Sequence, residues 1–456
     1  MPLLLADWGV LFASVSLLWA FSKLLSRRKR NARGLPLPPG PKGLPLVGNL
    51  FQLPQKEPWV EYNRLSKQYP SVYMKSPMNP GDLMYLEAMG QPILMLGSLE
   101  RATDILERRA ATYSDRPVLP ALELMDVGWS FSLMQYGTDW RAHRRSFHKL
   151  LSSAALPRYK PIFDDEIPGF LKKLQDTPEA FLDHTRDLFG YAIMRVTYGF
   201  DDPQVNKSAP PSLCGSYASG RYLVNDIPFL KHVPAWFPGA GFRRYFKRWR
   251  RPLLKLSSQR GGHRNGQPSM RRQMVGSLTA LFLALASNPE AQRKAQLELD
   301  SVVGSDRLPS LEDREGLPYV SAIVKEVERW HTVAPLGFAH VTARDDEYNG
   351  YFIPKGTYVM TNTWAILHDP AVYKDPLEFN PDRFIKDGQL DPSVRDPASA
   401  IFGYGRRICP GRFLGENTFF LVTASVLSAF NVYPPKDESG NPITLKLNAS
   451  PCTFRE

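Results

Sequence analysis

One ten-residue run, F-G-Y-G-R-R-I-C-P-G from Phe402 to Gly411, constrains this chain more than any other feature. It sets a single cysteine, Cys409, just before a long apolar segment, Phe413 to Phe430, that reads as a buried helix. The free N–H groups at a helix start create positive potential, and positive potential keeps a thiol ionised. Gly405 and Gly411 leave the backbone room to pass close to a flat ligand. Arg407 can pair with an acidic group on such a ligand. Phe402 can cover the sulfur and exclude water, which tunes the potential of a metal bound there.

These residues match F-x-x-G-x-R-x-C-x-G at each fixed position, and the stretch resembles the haem-ligand loop of the cytochrome P-450 superfamily. The alternative, a buried structural cysteine in a Gly-rich turn, does not account for so many fixed positions. The resemblance implies haem b (iron protoporphyrin IX) with the Cys409 thiolate as its axial ligand. It also implies the cytochrome P-450 fold, mainly α with a small β region, as one haem domain.

Other stretches agree with it. In K-E-V-E-R-W, Glu326 and Arg329 are three apart and share a helix face. Such a pair is ordinarily a solvated surface contact. By resemblance to the family's E-x-x-R helix and a later arginine in F-N-P-D-R-F, however, Glu326, Arg329 and Arg383 form a buried cluster that locks the cysteine loop. In W-R-A-H-R, Trp140 and Arg144 are four apart on one helical face, and an indole N–H with a fixed charge suits a haem propionate. Taken alone, this is an ordinary basic amphipathic helix. His340, in P-L-G-F-A-H, matches a family position that contacts a propionate, although a neutral core histidine fits as well.

Away from the motifs, the body reads as helical with a few strands. Glu57 to Tyr69 and Leu99 to Ala111 have amphipathic periodicity. Asn288 is placed to cap a helix with proline in its first turn. Tyr351 to Asn362 suggests two strands joined by a turn.

At 456 residues the chain can bury an extensive core. Its three cysteines, Cys214, Cys409 and Cys452, are too few and too scattered for a disulfide framework, which points to a reducing compartment. Pro2 to Ser22 is apolar except for Asp7, about 20 residues and enough to span a bilayer as a helix. Lys23 and the run Arg27 to Arg30 follow it with no basic residue before it, so the remainder is expected on the cytosolic side. A cleaved signal peptide would carry its charges first and end at small residues.

The expected organisation is a transmembrane anchor over 2–25, a basic and proline-rich hinge over 26–45, and a haem-thiolate domain over 46–456. The hinge, L-P-L-P-P-G-P-K-G-L-P at Leu35 to Pro45, reads as a stiff spacer that neither helix nor sheet absorbs. The expected location is the endoplasmic reticulum membrane.

The net charge of +12 includes the cluster F-R-R-Y-F-K-R-W-R-R, Phe242 to Arg251. Basic residues among aromatics can mark a nucleic-acid surface. Beside the apolar V-P-A-W-F-P-G they fit a membrane better, with Trp236 and Phe237 in the interface and arginines at anionic head groups. Docking of an acidic electron-donor protein is a second use of the cluster, and a solvated helix face is the bland reading. No nucleic-acid partner is expected.

One feature departs from the family. Its oxygen-activating members carry an acid and an alcohol mid-way along a long helix, in a pattern like A-G-x-D-T-T, and this chain has no such string. Aligning back from V-G-S-L-T-A, which starts at Val275, puts Arg272 at the acid position and Gln273 at the alcohol position, so no catalytic residue is assigned. The segment 206–274 is atypical, and the C-terminus reads as truncated. The abrupt return of family-like sequence at Val275 favours misplaced exon boundaries over gene decay or real divergence.

The implied activity is a monooxygenase inserting one oxygen atom from O2 into a small apolar organic substrate in secondary metabolism. The combination of motifs is similar to fungal O-methylsterigmatocystin oxidoreductase-like members. No flavin or dinucleotide fingerprint is present, so electrons would come through a separate NADPH-cytochrome P-450 reductase. The alternatives are a haem-thiolate isomerase or dehydratase needing no reductase, or a catalytically impaired haem-binding product.

Overall fold

A computed structural model describes residues 30–69, 82–199, 224, 228–236, 241–244, 246–247 and 267–445. The expected anchor, Cys214, Cys452, Phe237, the far end of the basic cluster and most of 206–274 lie outside them. Among the described residues no helix is long and apolar enough to cross a membrane.

The architecture is mainly helical with small sheets, as the cytochrome P-450 resemblance implies. In chain order the longer helices are α1 (Pro58–Ser66), α2 (Thr138–Leu151), α3 (Lys160–Asp176), α4 (Phe181–Tyr198), α5 (Gln267–Ser287), α6 (Pro289–Val302), α7 (Pro318–Trp330) and α8 (Arg412–Ala429). The strands are β1 (Leu83–Ala88), β2 (Gln91–Leu96), β3 (His340–Val341), β4 (Asp346–Tyr348), β5 (Tyr351–Ile353), β6 (Tyr358–Thr361), β7 (Ile385–Lys386) and β8 (Gln389–Leu390). One four-stranded sheet runs β1-β2-β6-β3, and β4-β5 and β7-β8 are separate pairs. β2 and β6 are parallel, with Ile93 opposite Tyr358, while His340 on edge strand β3 faces Val359.

The principal core lies among the helices. Phe163 and Phe170 of α3, Leu188 and Phe189 of α4, Leu278 and Leu281 of α5, Val320 and Val327 of α7, and Phe419 to Val422 of α8 meet there. Helix α8 is apolar on all sides and accordingly central. Burial of each large apolar side chain contributes about 1.5–3 kcal/mol. A second cluster joins the sheet to the chain just after β2, through Leu94, Leu96, Ile105, Leu106 and Tyr404.

Three local expectations are corrected and a fourth is met. Leu99 to Ala111 is not one helix: an α turn over Leu99–Thr103 passes into a π turn over Asp104–Arg108, and a short helix resumes at Ala110. Asn288 precedes α6 but does not cap it by its side chain. Its amide donates instead to the Ala284 carbonyl at 2.8 Å, at the end of α5. Tyr351 to Asn362 holds the two expected strands, β5 and β6, joined by a turn, with β5 paired to β4 and β6 to β2 and β3. The proline-rich stretch is not a free spacer, because the Pro36 carbonyl accepts from Phe352 N–H at 2.8 Å and that of Pro39 from Tyr85 N–H at 2.7 Å.

Glu326 and Arg329 lie on α7 with side chains wholly buried. Arg329 grips Glu326 through Nε and Nη2 at 2.7 and 2.8 Å, then donates to the carbonyls of Leu367, Pro376 and Glu378. Arg383 Nε reaches the same carboxylate at 3.1 Å, and the Asn380 N–H at 2.8 Å. Glu326→Ala strands two guanidiniums in the interior and should destabilise the fold by about 3–5 kcal/mol, read from urea unfolding.

Burial lowers the His331 imidazole to about 4; burial and the nearby Arg329 and Arg383 guanidiniums lower that of His368 to about 4. Both stay neutral in the folded chain while the unfolded chain takes protons near pH 6.5. The penalty is therefore absent above that pH and grows as pH falls toward 4, by up to about 1.4 kcal/mol per pH unit per histidine. Urea midpoints at pH 7 and pH 5 should show the drop, and His368→Gln should reduce it.

Candidate cofactor site

The cysteine loop is closed by the Cys409 N–H, which donates to the Phe402 carbonyl at 2.7 Å. Between them the chain makes a tight 3-10 turn over Gly405–Arg407, and Gly411 then starts α8. Burial pushes the Cys409 thiol up, and the Gly411 N–H together with the Arg144 and Arg412 guanidiniums acts against that. Those groups would favour the thiolate once a metal displaces the proton. Arg144, from α2, donates through Nη1 to the Ile408 carbonyl at 2.5 Å and so sits directly against the loop.

The remaining candidates converge from two other elements. The Arg407 guanidinium stacks over the Trp140 indole, 4.3 Å from the ring centroid. Its Nε donates to the Ser114 carbonyl and its Nη2 to that of Met134, both at 2.8 Å. His340 Nδ1 meets the adjacent carbonyl, Tyr113, at 2.7 Å. Arg407 and His340 therefore hang from consecutive carbonyls. Burial, then the neighbouring Arg116, hold the His340 imidazole well below its ordinary pKa, so it is neutral. Burial also lowers Arg407, to about 10.

Two polar atoms in this cluster, Trp140 Nε1 and Arg407 Nη1, are buried without a hydrogen-bond partner. Leaving such donors unpaired is costly, about 1–3 kcal/mol each and more for a charged group. Buried donors of this kind fit an acidic ligand such as a haem propionate. Among the described residues no group of three or more His, Cys, Asp or Glu is arranged to hold a metal ion.

Trp140, Arg144, His340, Arg407 and Cys409 are joined in this way, with the Phe402 carbonyl closing the loop and Gly411 opening α8. Gly405 has a different task. Its φ is +55°, and a Cβ there would lie 2.3 Å from the Leu106 carbonyl oxygen in the π turn, so glycine is needed against the protein rather than against a ligand. The motif reading missed Arg116. It is buried, donates to the Phe338 and Ala339 carbonyls at 2.8 Å and to Ser132 at 3.1 Å, and thereby ties its own segment to the strand bearing His340. Its signal was the D-R-P string, where an arginine precedes a proline.

The basic cluster is also partly accounted for. Phe246 is buried and Phe242 packs edge-on to it at 6.2 Å, so these aromatics belong to a small core instead of an outward surface. Arg243 donates to the Val233 carbonyl at 2.7 Å, and Trp236 is exposed.

A helical fold that offers one cysteine at the head of its central helix, beside unpaired buried cationic and indole donors, defines a haem-thiolate protein. The chain belongs to the cytochrome P450 family, whose profile matches residues 38–200 and 275–451. It is 47% identical to cytochrome P450 monooxygenase COX1 of Coprinopsis cinerea, over 97% of this chain and 93% of that one. It is 40% identical to COX2 of the same fungus over 91% and 86%, and 34% identical to tryptamine 4-monooxygenase of Psilocybe cyanescens over 98% and 94%. The protein is a cytochrome P450 monooxygenase with a haem-thiolate cofactor. The COX1 alignment spans 494 positions, more than the 456 residues here, so that relative has residues without a counterpart in this chain.

Arg407→Ala removes a charged donor of the proposed propionate cradle, and about 1.5–3 kcal/mol of binding corresponds to about 10- to 100-fold weaker haem retention. Transfer of haem to an apoglobin acceptor measures it. Trp140→Phe should have a smaller effect in the same direction.

Proposed function

We propose that the chain is a membrane-bound monooxygenase of fungal secondary metabolism that hydroxylates or otherwise oxygenates a small apolar organic molecule. Electrons come from NADPH through a separate reductase, and the haem domain faces the cytosol at the endoplasmic reticulum. The observation that carries the site assignment is the pair of unpartnered buried donors, Arg407 Nη1 on the same loop as Cys409 and Trp140 Nε1 on α2, whose ring the Arg407 guanidinium covers. Arg144, Arg407, Trp140 and His340 hold the propionates, and Cys409 ligates the iron. The bound haem supplies the redox chemistry of oxygen insertion.

Support for the setting comes from the relatives, several of which are fungal monooxygenases, one of them named for tryptamine. Support for the membrane comes from the apolar sequence Pro2 to Ser22 and the basic run after it. His340, donating Nδ1–H to the Tyr113 carbonyl, presents Nε2 as an acceptor while neutral, and would donate to a propionate only as the imidazolium that the propionate's charge favours. Helix α7, which carries the ion cluster, packs in the same core as the cysteine helix α8.

The weak point of catalysis is proton delivery. Gln273, partly buried on α5, stands at the family's alcohol position, and an amide donates a hydrogen bond but does not give up a proton at neutral pH. Arg272 stands at the acid position and has no acidic proton to supply. The family profile is interrupted over 201–274, the stretch that ends at these residues. Slow or uncoupled turnover follows.

Reduced protein under carbon monoxide should show the thiolate-type Soret band, and Cys409→Ser should abolish it. With NADPH and reductase the wild type should consume O2, which an isomerase or dehydratase would not. NADPH consumption should exceed product formation, and replacement of Gln273 by Thr with Arg272 by Asp should narrow that gap. General acid–base groups are worth about 10²-fold or more where they act.

A further inference from the structure

The backbone of Tyr113 meets the cofactor site, while its side chain meets the hairpin β4-β5. The segment Thr112 to Arg116 lies beside β3, and its five consecutive carbonyls all accept hydrogen bonds. Ala343 N–H donates to Thr112 at 2.8 Å and Val341 N–H to Asp115 at 2.9 Å, which pins the segment to the strand bearing His340. Between those bonds, His340 Nδ1 donates to Tyr113 at 2.7 Å and Arg407 Nε to Ser114 at 2.8 Å. Gln135 Nε2 takes the last carbonyl, that of Arg116, at 2.8 Å. Two side chains assigned to the haem propionates therefore take their positions from the backbone of one short segment.

The Tyr113 side chain is fully buried, and its hydroxyl donates to Asp346 Oδ2, on β4, at 2.9 Å. Arg109 Nη1 donates to the same oxygen at 2.8 Å and to the Glu347 carbonyl at 2.8 Å. Its guanidinium also lies over the Tyr348 ring, 5.2 Å from the centroid. Burial, and then the Asp346 carboxylate, raise the Tyr113 phenol above its ordinary pKa, so it keeps its proton and donates. A phenylalanine would fill the same space. The hydroxyl adds a bond to a charged acceptor, roughly twice as strong as one to a neutral acceptor. That acceptor is itself held by a cation, so moving the tyrosine disturbs the arginine as well. Groups that bind a cofactor keep their alignment only where their own supports are fixed in this way.

We propose that the Arg109–Asp346–Tyr113 chain positions His340 and Arg407 against the haem propionates and thereby sets the reduction potential of the bound cofactor. This rests on the haem-propionate reading of the site above. Donors held close to the propionates offset their negative charge, and that charge favours ferric over ferrous iron. Loosening the segment leaves the charge less offset, so the potential falls.

Spectroelectrochemical titration of the haem-loaded protein tests this, together with its melting temperature and the rate of haem transfer to an apoglobin. Tyr113→Phe removes only the hydroxyl, and Asp346→Ala removes its acceptor. Each should favour the ferric form by about 3- to 10-fold, a fall of about 30 to 60 mV, and quicken haem transfer by a similar factor. The double variant should shift no further than either single one, because both break the same bond. Asp346→Asn restores an uncharged acceptor and should recover part of the loss. Asp346 is partly exposed, so its two variants carry the test if Tyr113→Phe does not fold. The control is Gln292→Ala on α6, which loses a bond from Val432 N–H at 2.8 Å and should lower the melting temperature without moving the potential. Lower melting temperatures for the Tyr113 and Asp346 variants with an unchanged potential would make the chain structural only and overturn the proposal. A rise in potential, or additive shifts in the double variant, also overturns it. Should Arg407→Ala leave potential and haem transfer unchanged too, the propionate reading falls with it; a shift in Arg407→Ala alone leaves that reading standing.

Discussion

Two guanidiniums sharing one carboxylate in a water-free interior is the arrangement on which the rest of this structure depends. All the N–H groups of Arg329 are used, by Glu326 and by the carbonyls of Leu367, Pro376 and Glu378. Arg383 adds the Lys374 carbonyl at 2.6 Å. Such a cluster gives little net stability over an apolar replacement, but it penalises every arrangement that leaves one member unpaired. Its effect is therefore on register. It fixes the irregular chain from Leu367 to Arg383 against α7, and α7 packs in the same core as α8, whose first turn follows Cys409.

What was legible in the sequence was local. The cysteine loop could be read because its residues are close in sequence and their spacing is set by one tight turn and one helix start. The pairing of Glu326 with Arg329 follows from helix periodicity, although its burial does not, since an E-x-x-R pair looks the same on a surface. Pairing of β5 and β6 could not be read because their partners β4, β2 and β3 are chosen by the packing of distant segments. The break in Leu99 to Ala111 was hidden for a similar reason: the π turn fits around Gly405, some three hundred positions later in the chain, and nothing in the local periodicity signals it. Arg116 was missed because its partners are backbone carbonyls, which leave no trace in side-chain pattern.

The unpaired donors give the site its energetic character. In the protein alone, Trp140 Nε1 and Arg407 Nη1 are denied both water and a partner, while Arg407 and Arg144 are lowered by burial. Each of these costs makes the cofactor-free fold less stable and is removed by an acidic partner. Cofactor binding is consequently linked to folding: a ligand that pairs both donors and takes the Cys409 sulfur stabilises the native state in proportion to its affinity. The stacking of Arg407 on Trp140 keeps the two aligned before any partner arrives, which lowers the ordering cost at binding.

Holding a cofactor and using it depend on different parts of this chain. Trp140, Arg144, His340, Arg407 and Cys409 all fall in the stretches that match the family profile, 38–200 and 275–451. The positions proposed for proton delivery, Arg272 and Gln273, fall in the interruption, on the opening turns of α5. That helix is anchored from Val275 onward, with Leu278, Leu281 and Leu285 buried in the main core, whereas before Val275 only Met274 and Gln273 have described side chains and both are partly exposed. The residues proposed to hold the cofactor and those proposed for proton delivery thus lie in different stretches of the chain, and on that proposal haem binding and turnover are separable.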